Sequence, residues 1–208
     1  MKLNGLIAYE DDFILIIDKP PGVLVHPTVK ESGATLYDMV KEYYREKGLD
    51  LGIHPVSRLD RYTSGLVVFA KEGAVQGWLD RGFFEKEYLA VTEGMPPASA
   101  GTIDAPIARK EGSIIERCIA ADGKPALTEY RVIKSGARPL LALKLRTGRT
   151  HQIRVHLASI GCPVAGDGLY GSPGPQGRHL LHCWKLSFQH PVSDDFFTIT
   201  RLPPENFF

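Results

Sequence analysis

Apolar residues dominate the stretch Leu6 to His26, "LIAYEDDFILIIDKPPGVLVH", broken by Asp11-Asp12 and by Pro20-Pro21-Gly22. Both breaks are turn chemistry, so three short strands are predicted there. Leu36, Val40, Tyr43 and Tyr44 then recur at helical spacing, with Thr35 placed to cap, Asp38 three residues on, and Gly48 placed to end the helix. An amphipathic helix packed on the sheet follows. Thr63 to Ala70 reads as a buried strand, Gly73 to Phe83 as a helix and Tyr88 to Val91 as a strand, with Pro96-Pro97 ending that unit. From Gly101 to Thr147 the pattern is short strands with Gly and Pro turns. "THQIRVHLASIG", from Thr150, predicts a helix with Ile153, Leu157 and Ile160 on its core face and Gly161 at its end. A Gly- and Pro-rich loop from Cys162 to Gly177 leads to two last strands near "CWKLSF" and "FFTIT". Many strands and few helices in mixed order imply an α+β fold rather than an alternating βαβ one.

A chain of 208 residues buries roughly 70% of its unfolded surface, enough for one substantial core or two closely joined subdomains. At 43% hydrophobic and 24% charged residues it is neither disordered nor membrane-embedded by composition. Its apolar runs fall well short of the ~18 residues that span a bilayer. The N-terminus carries no pattern of a secretory leader, and three cysteines without a C-x-x-C pair argue against disulfides and zinc. A soluble, cytoplasmic protein with no membrane association is expected. Net charge is only +1, yet Tyr130 to Val192 holds nine basic residues against a lone acid, Asp167. A positive block of this kind suits a polyanionic substrate, although an uneven surface without function has the same composition.

Two segments concentrate chemistry. In "HPVSRLDRYTSGLVVFAK", Asp60 stands between Arg58 and Arg61 just before a hydrophobic strand. Flanking cations favour its ionised form, which suits a nucleophile or base; the competing reading is a salt bridge that fixes the turn. In "LRTGRTHQIRVHLASIGCPVAGDGLYG", Gly148, Arg149 and Thr150 precede a helix whose N-terminus favours an anion, with Arg149, His151, Gln152 and Arg154 close by.

"RLDRYTSG" resembles the R-L-D-x-x-T-S-G motif of the RluA family of pseudouridine synthases, and "TGRTHQIRVHL" with "PVAGDGLYG" resembles that family's second signature. "EKEYLAVTEG" and "DKPPGVLVHP" are similar to two further family elements, in the same order, so the likeness runs from about Ala8 to Phe188. The resemblance implies a mixed, mainly antiparallel sheet forming a central cleft, flanked by a few helices, as one catalytic domain over 1–208. It implies Asp60 as nucleophile, Tyr88 stacked on the target base, Arg154 paired with Asp60, and Arg58 entering the RNA as the base leaves. Arg149, His151 and Gln152 would contact RNA, and Leu181 or its neighbour Leu180 would close the other face of the uracil. Ser57 stands where His is common, and Tyr62 where a polar residue is frequent; local hydrogen bonding and RNA context are the properties these departures touch.

The implied function is isomerisation of uridines in structured RNA, rRNA or tRNA, after base flipping. Overall the reaction is redox-neutral, so no cofactor or metal is expected, nor an obligatory protein partner, and a monomer suffices. Attack on the sugar, attack on the base and proton removal to a glycal all remain open. The loop Ser172 to Arg178 is expected to shape specificity, and because the chain starts at the catalytic motifs no added RNA-binding domain is expected. Three other readings compete with it. A metal site would need His151 and His156, five apart, on one helix face. An RNA chaperone would have no use for Asp60, Tyr88 and Arg154 together. A glycosidic hydrolase would need a second acid near Asp60.

Overall fold

The computed structural model describes residues 3–27, 34–175, 177–204 and 207. In chain order its elements begin with β1 (Ile7–Glu10), β2 (Ile14–Lys19), α1 (Leu36–Glu46), β3 (His54–Pro55), β4 (Ser64–Ala70), α2 (Gly73–Arg81) and β5 (Phe84–Val91). They continue with β6 (Ala100–Asp104), β7 (Ile107–Arg109), β8 (Arg117–Ile119), β9 (Leu127–Lys134), β10 (Leu140–Leu145), α3 (Gln152–Ser159), β11 (Leu181–Gln189) and β12 (Phe196–Thr200). The fold is α+β, with mainly antiparallel strands and three helices among the described residues. Two structural units divide the chain: Met1–Lys86 with Cys183–Pro203, and Glu87–His182 with Pro204–Phe208.

In the first unit β2 lies between β1 and β4, antiparallel to both, β11 borders β4, and β12 pairs with β11. Every residue of β4 is buried, which is why "SGLVVFA" shows no alternation: a strand covered on both faces needs apolar side chains throughout. Gly65 is required by the approach of β11. Its φ is +108°, and a Cβ there would lie 2.2 Å from the Cys183 carbonyl oxygen. Helix α1 starts as predicted, with reciprocal hydrogen bonds between Thr35 and Asp38, and it buries Leu36, Val40, Tyr43 and Tyr44. His190, just past β11, is held by Asp11 at 2.9 Å, a strand-end histidine.

The third predicted strand, around Val23 to Val25, does not form. Its carbonyls are used elsewhere: Leu24 and Val25 accept the first free N–H groups of α1 from Leu36 and Tyr37, at 2.8 and 3.0 Å. Val23 accepts from the Lys19 ammonium. A segment whose acceptors cap a helix has none left for a ladder.

In the second unit β5, β10, β9 and β6 form an antiparallel run in that order, while β7 and β8 make a separate two-stranded ribbon. Helix α3 departs from the expected apolar stripe. All six residues from Gln152 to Leu157 are buried, polar ones included. Its buried polar groups are satisfied one by one. The His156 Nε2 faces the Ala105 carbonyl at 2.9 Å, so the proton is assigned there and Nδ1 accepts from the Thr128 hydroxyl, also at 2.9 Å. Burial pushes His156 below the ordinary imidazole pKa, against the opposing effect of its bond to Ala105. The unfolded imidazole takes up a proton near pH 6.5 and the folded one resists. Stability is therefore full above that pH and falls as pH drops below it. Thermal melts at pH 7.5 and 5.5 should show a loss for the wild type and a smaller pH-dependent loss for His156→Gln.

Candidate active site

In the first unit, Asp60 sits in the turn that leads into β4. Its carbonyl accepts from the Thr63 N–H at 3.1 Å, which closes the turn. What holds this turn is a lysine to which the sequence pattern gave no role. Lys19, at the end of β2, is completely buried, and its ammonium donates to the carbonyls of Pro20 (3.0 Å), Val23 (2.8 Å) and Arg61 (3.0 Å). Three donors meet three acceptors, the condition under which a buried ammonium is tolerated. The Arg61 carbonyl also accepts from Gly22 N–H at 2.8 Å, and the Arg61 Nε donates to the Gly22 carbonyl at 3.1 Å. The residue after Asp60 is thus clamped to the Pro20–Val23 turn from both sides.

Ser57, which departs from the common motif histidine, is buried, and its hydroxyl accepts from the Val68 N–H at 3.2 Å. That contact ties the segment before Asp60 to the strand after it. Tyr62 is exposed, and the Arg61 guanidinium lies over its ring. Arg58 is also exposed; burial and then the nearby Arg58 charge hold His26 below the usual imidazole range.

Replacing Lys19 with Met, of similar length, removes all three hydrogen bonds at once. Urea unfolding should report a loss of about 3 kcal/mol, because three charge-assisted hydrogen bonds go and the half-buried Pro20 and Val23 carbonyls lose this donor. Turnover should fall more than about tenfold as the Asp60 turn loosens. A variant with unchanged rate would show that the clamp is irrelevant to the site.

In the second unit, Arg154 points from α3 into a buried cluster. Its Nε and Nη2 donate to the two carboxylate oxygens of Asp167 at 2.7 and 2.8 Å, a bidentate pair in which both residues are buried. Burial works against the Asp167 charge, but the guanidinium and the Leu169 N–H outweigh it and hold the carboxyl below its ordinary range. Tyr170 packs beside them, its ring 5.1 Å from the Arg154 guanidinium carbon. The Tyr170 hydroxyl accepts from the Arg117 N–H at 2.8 Å and meets the His151 Nδ1 at 2.7 Å. His151 itself adopts a left-handed conformation, φ 58°, just before α3; a non-glycine residue held so is a local strain of the kind that collects at functional sites.

Gln152, expected to touch RNA, is spent otherwise. Its Oε1 accepts from the Thr147 hydroxyl (2.8 Å) and the Arg149 N–H (2.9 Å), and its Nε2 donates to the Leu127 carbonyl and the Thr128 hydroxyl, both at 3.0 Å. With two acceptances and two donations the amide is full, so Gln152 holds the 147–149 turn. Arg149 is exposed. Tyr88, in β5 opposite Leu143, is buried, as are Leu180 and Leu181 where β11 begins.

The segment that contains the Lys19 clamp, the Asp60 turn, Tyr88 and helix α3, residues 13–159, matches the family model for RNA pseudouridylate synthase. This chain belongs to that family. Among its relatives, the uncharacterized RNA pseudouridine synthase YhcT of Bacillus subtilis is 39% identical over 91% of this chain and 65% of its own length. The ribosomal large subunit pseudouridine synthase D of Nitrosomonas europaea is 41% identical over 90% of this chain and 58% of its own. The chain therefore spans about three fifths to two thirds of these two relatives. Among solved structures, human RNA pseudouridylate synthase domain containing 1 superposes with a TM-score of 0.75 at 28% identity, covering 96% of this chain and 83% of that one.

Within the pseudouridylate synthase frame, Lys19, Asp167 and Tyr170 stand inside the motif strings, but the sequence pattern assigned them no role. Asp167 had a visible signal, being the lone acid in a basic stretch. Lys19 lies in the quoted "DKPPGVLVHP" element, but nothing there signalled its burial, since a lysine at a strand end is ordinarily solvated. No described helix is long and apolar enough to cross a membrane.

Proposed function

We propose that this protein converts specific uridines in structured RNA, rRNA or tRNA, to pseudouridine, with Asp60 as the nucleophile. The observation that carries the reading is the Asp60 turn: the family motif stands on a loop clamped by a buried lysine, and a nucleophile gains most from such fixed geometry. Arg154 is the cation assigned to keep Asp60 ionised, and its Nε–Nη2 edge, anchored on Asp167, fixes the direction of the guanidinium. Tyr88 offers a flat ring with a hydroxyl for the uracil, and Leu181 an aliphatic surface. Arg58 is assigned to the space the flipped nucleotide leaves, and Arg149 and His151 to the RNA backbone.

The reaction breaks the bond between the ribose anomeric carbon and uracil N1, turns the base, and joins the same sugar carbon to C5. The proton on C5 goes to solvent, and one returns to N1. Asp60 as a carboxylate serves any of three routes: attack on the sugar, attack on the base, or removal of a sugar proton. Extrusion of the nucleotide costs a few kcal/mol of unstacking, offset by phosphate contacts. A cytoplasmic location and action as a monomer accompany this reading.

The test is incubation with RNA carrying tritium at uracil C5. Tritium release with no free base is the expected result. Free uracil would indicate a hydrolase, and tight binding without release an RNA chaperone; either would replace the proposal.

A further inference from the structure

The second unit contains a cavity of about 480 Å³ between the β7–β8 ribbon, the turn before Lys124 and the 148–150 loop. Its volume lies in the ~300–1,000 Å³ range of ligand sites. Four cations line it, Arg109, Arg117, Lys124 and Arg149, against one acid, Asp122. Resting on the RNA reading above, we propose that this cavity is a phosphate site that grips the RNA backbone, supplied by the second unit alone.

Three observations support it. First, none of the four cations is in a salt bridge with a described carboxylate, whereas the neighbouring Lys110, Arg146 and Arg154 are paired with Glu116, Glu129 and Asp167. The Arg117 guanidinium donates only to the carbonyls of Ile115 and Glu116, and the Arg149 Nε to that of Pro125. Second, Arg109 and Arg117 are direct cross-strand partners in the ribbon. Like charges placed opposite each other destabilise a strand pair unless an anion lies between them. Third, the walls are built rather than floppy. Ile107 and Lys124 exchange both backbone hydrogen bonds at 2.9 Å, and Gly123 fits a turn where a Cβ would come within 2.7 Å of the Ile107 backbone. A rigid concavity of uncompensated guanidinium and ammonium groups is made for phosphodiester oxygens.

The ribbon is also joined to the Arg154 cluster, because the Tyr170 hydroxyl accepts from the Arg117 N–H and contacts His151.

The experiment compares wild type with the Arg109→Gln/Lys124→Gln variant, using total RNA from cells lacking this protein and the tritium assay. The variant should raise KM and leave kcat unchanged. The loss of RNA affinity between 50 and 200 mM salt should shrink by about tenfold, since each lost phosphate contact lowers the salt slope by ~0.9. Circular dichroism checks the fold, and Lys124→Gln alone, with about half the effect, serves if the double variant is unfolded. An unchanged KM and salt slope in a folded, active variant would overturn the phosphate site and leave the isomerase standing. Wild type that binds RNA with the expected salt slope but releases no tritium would sink the isomerase instead. Binding of inorganic phosphate by the wild type, with RNA affinity indifferent to the substitutions, would assign the cavity to a free anion and also overturn the proposal.

Discussion

Asp60→Asn should bind RNA as tightly as the wild type and lose turnover by at least about four orders of magnitude, as expected for a reaction whose covalent or proton-removing group is gone. The change is nearly isosteric, and the Lys19 ammonium holds the loop through backbone carbonyls. The turn should therefore keep its shape, and the melting temperature should stay within a few degrees. Equilibrium binding, a thermal melt and single-turnover tritium release separate these effects. A variant retaining a tenth of the wild-type rate would remove Asp60 from the chemistry.

Asp167→Ala should be the most damaging substitution for stability. It leaves the Arg154 guanidinium buried with its bidentate partner gone, and one-sided loss of a buried pair costs about 3–5 kcal/mol. For a chain of this size that corresponds to a drop of roughly 10 °C in melting temperature. Turnover should fall as well, because the group that aims Arg154 is absent. The structural and functional parts separate in the double variant Arg154→Met/Asp167→Leu. Replacing both charges by apolar groups should restore most of the stability, since no charge is then left unpaired. It should not restore turnover. A fully active double variant would show that Arg154 serves the fold alone.

The same pair contributes to the acid limit. The Asp167 carboxyl is held below its ordinary range in the folded protein, so its contribution is present above the unfolded value near pH 3.8 and is lost as pH falls through the lower folded value. Acid unfolding of the wild type should carry this component, and the double variant should lack it.

Local features of the chain were readable before any coordinates. Thr35, Asp38 and the Leu36, Val40, Tyr43 and Tyr44 face lie within one short stretch, and a helix start is encoded by residues that are neighbours on it. The uniform apolar run of β4 likewise announced a strand covered on both sides. Around the site, the family motifs marked Asp60, Tyr88 and Arg154 as types in order.

Tertiary structure decided what those residues touch. Lys19 finds one acceptor next to it, one four residues on, and one 42 residues on, so its burial could not be inferred from its surroundings in sequence. Val23 to Val25 has strand composition but yields its carbonyls to Lys19 and α1. Gln152 has the appearance of an RNA contact, yet its amide is consumed by residues of β9 and the 147–149 turn. Periodicity and caps report short-range geometry, which the sequence determines by itself. The pairing of buried polar groups depends on which distant partners the folded chain brings within hydrogen-bonding distance, because a charge leaves water only where those partners are already in place.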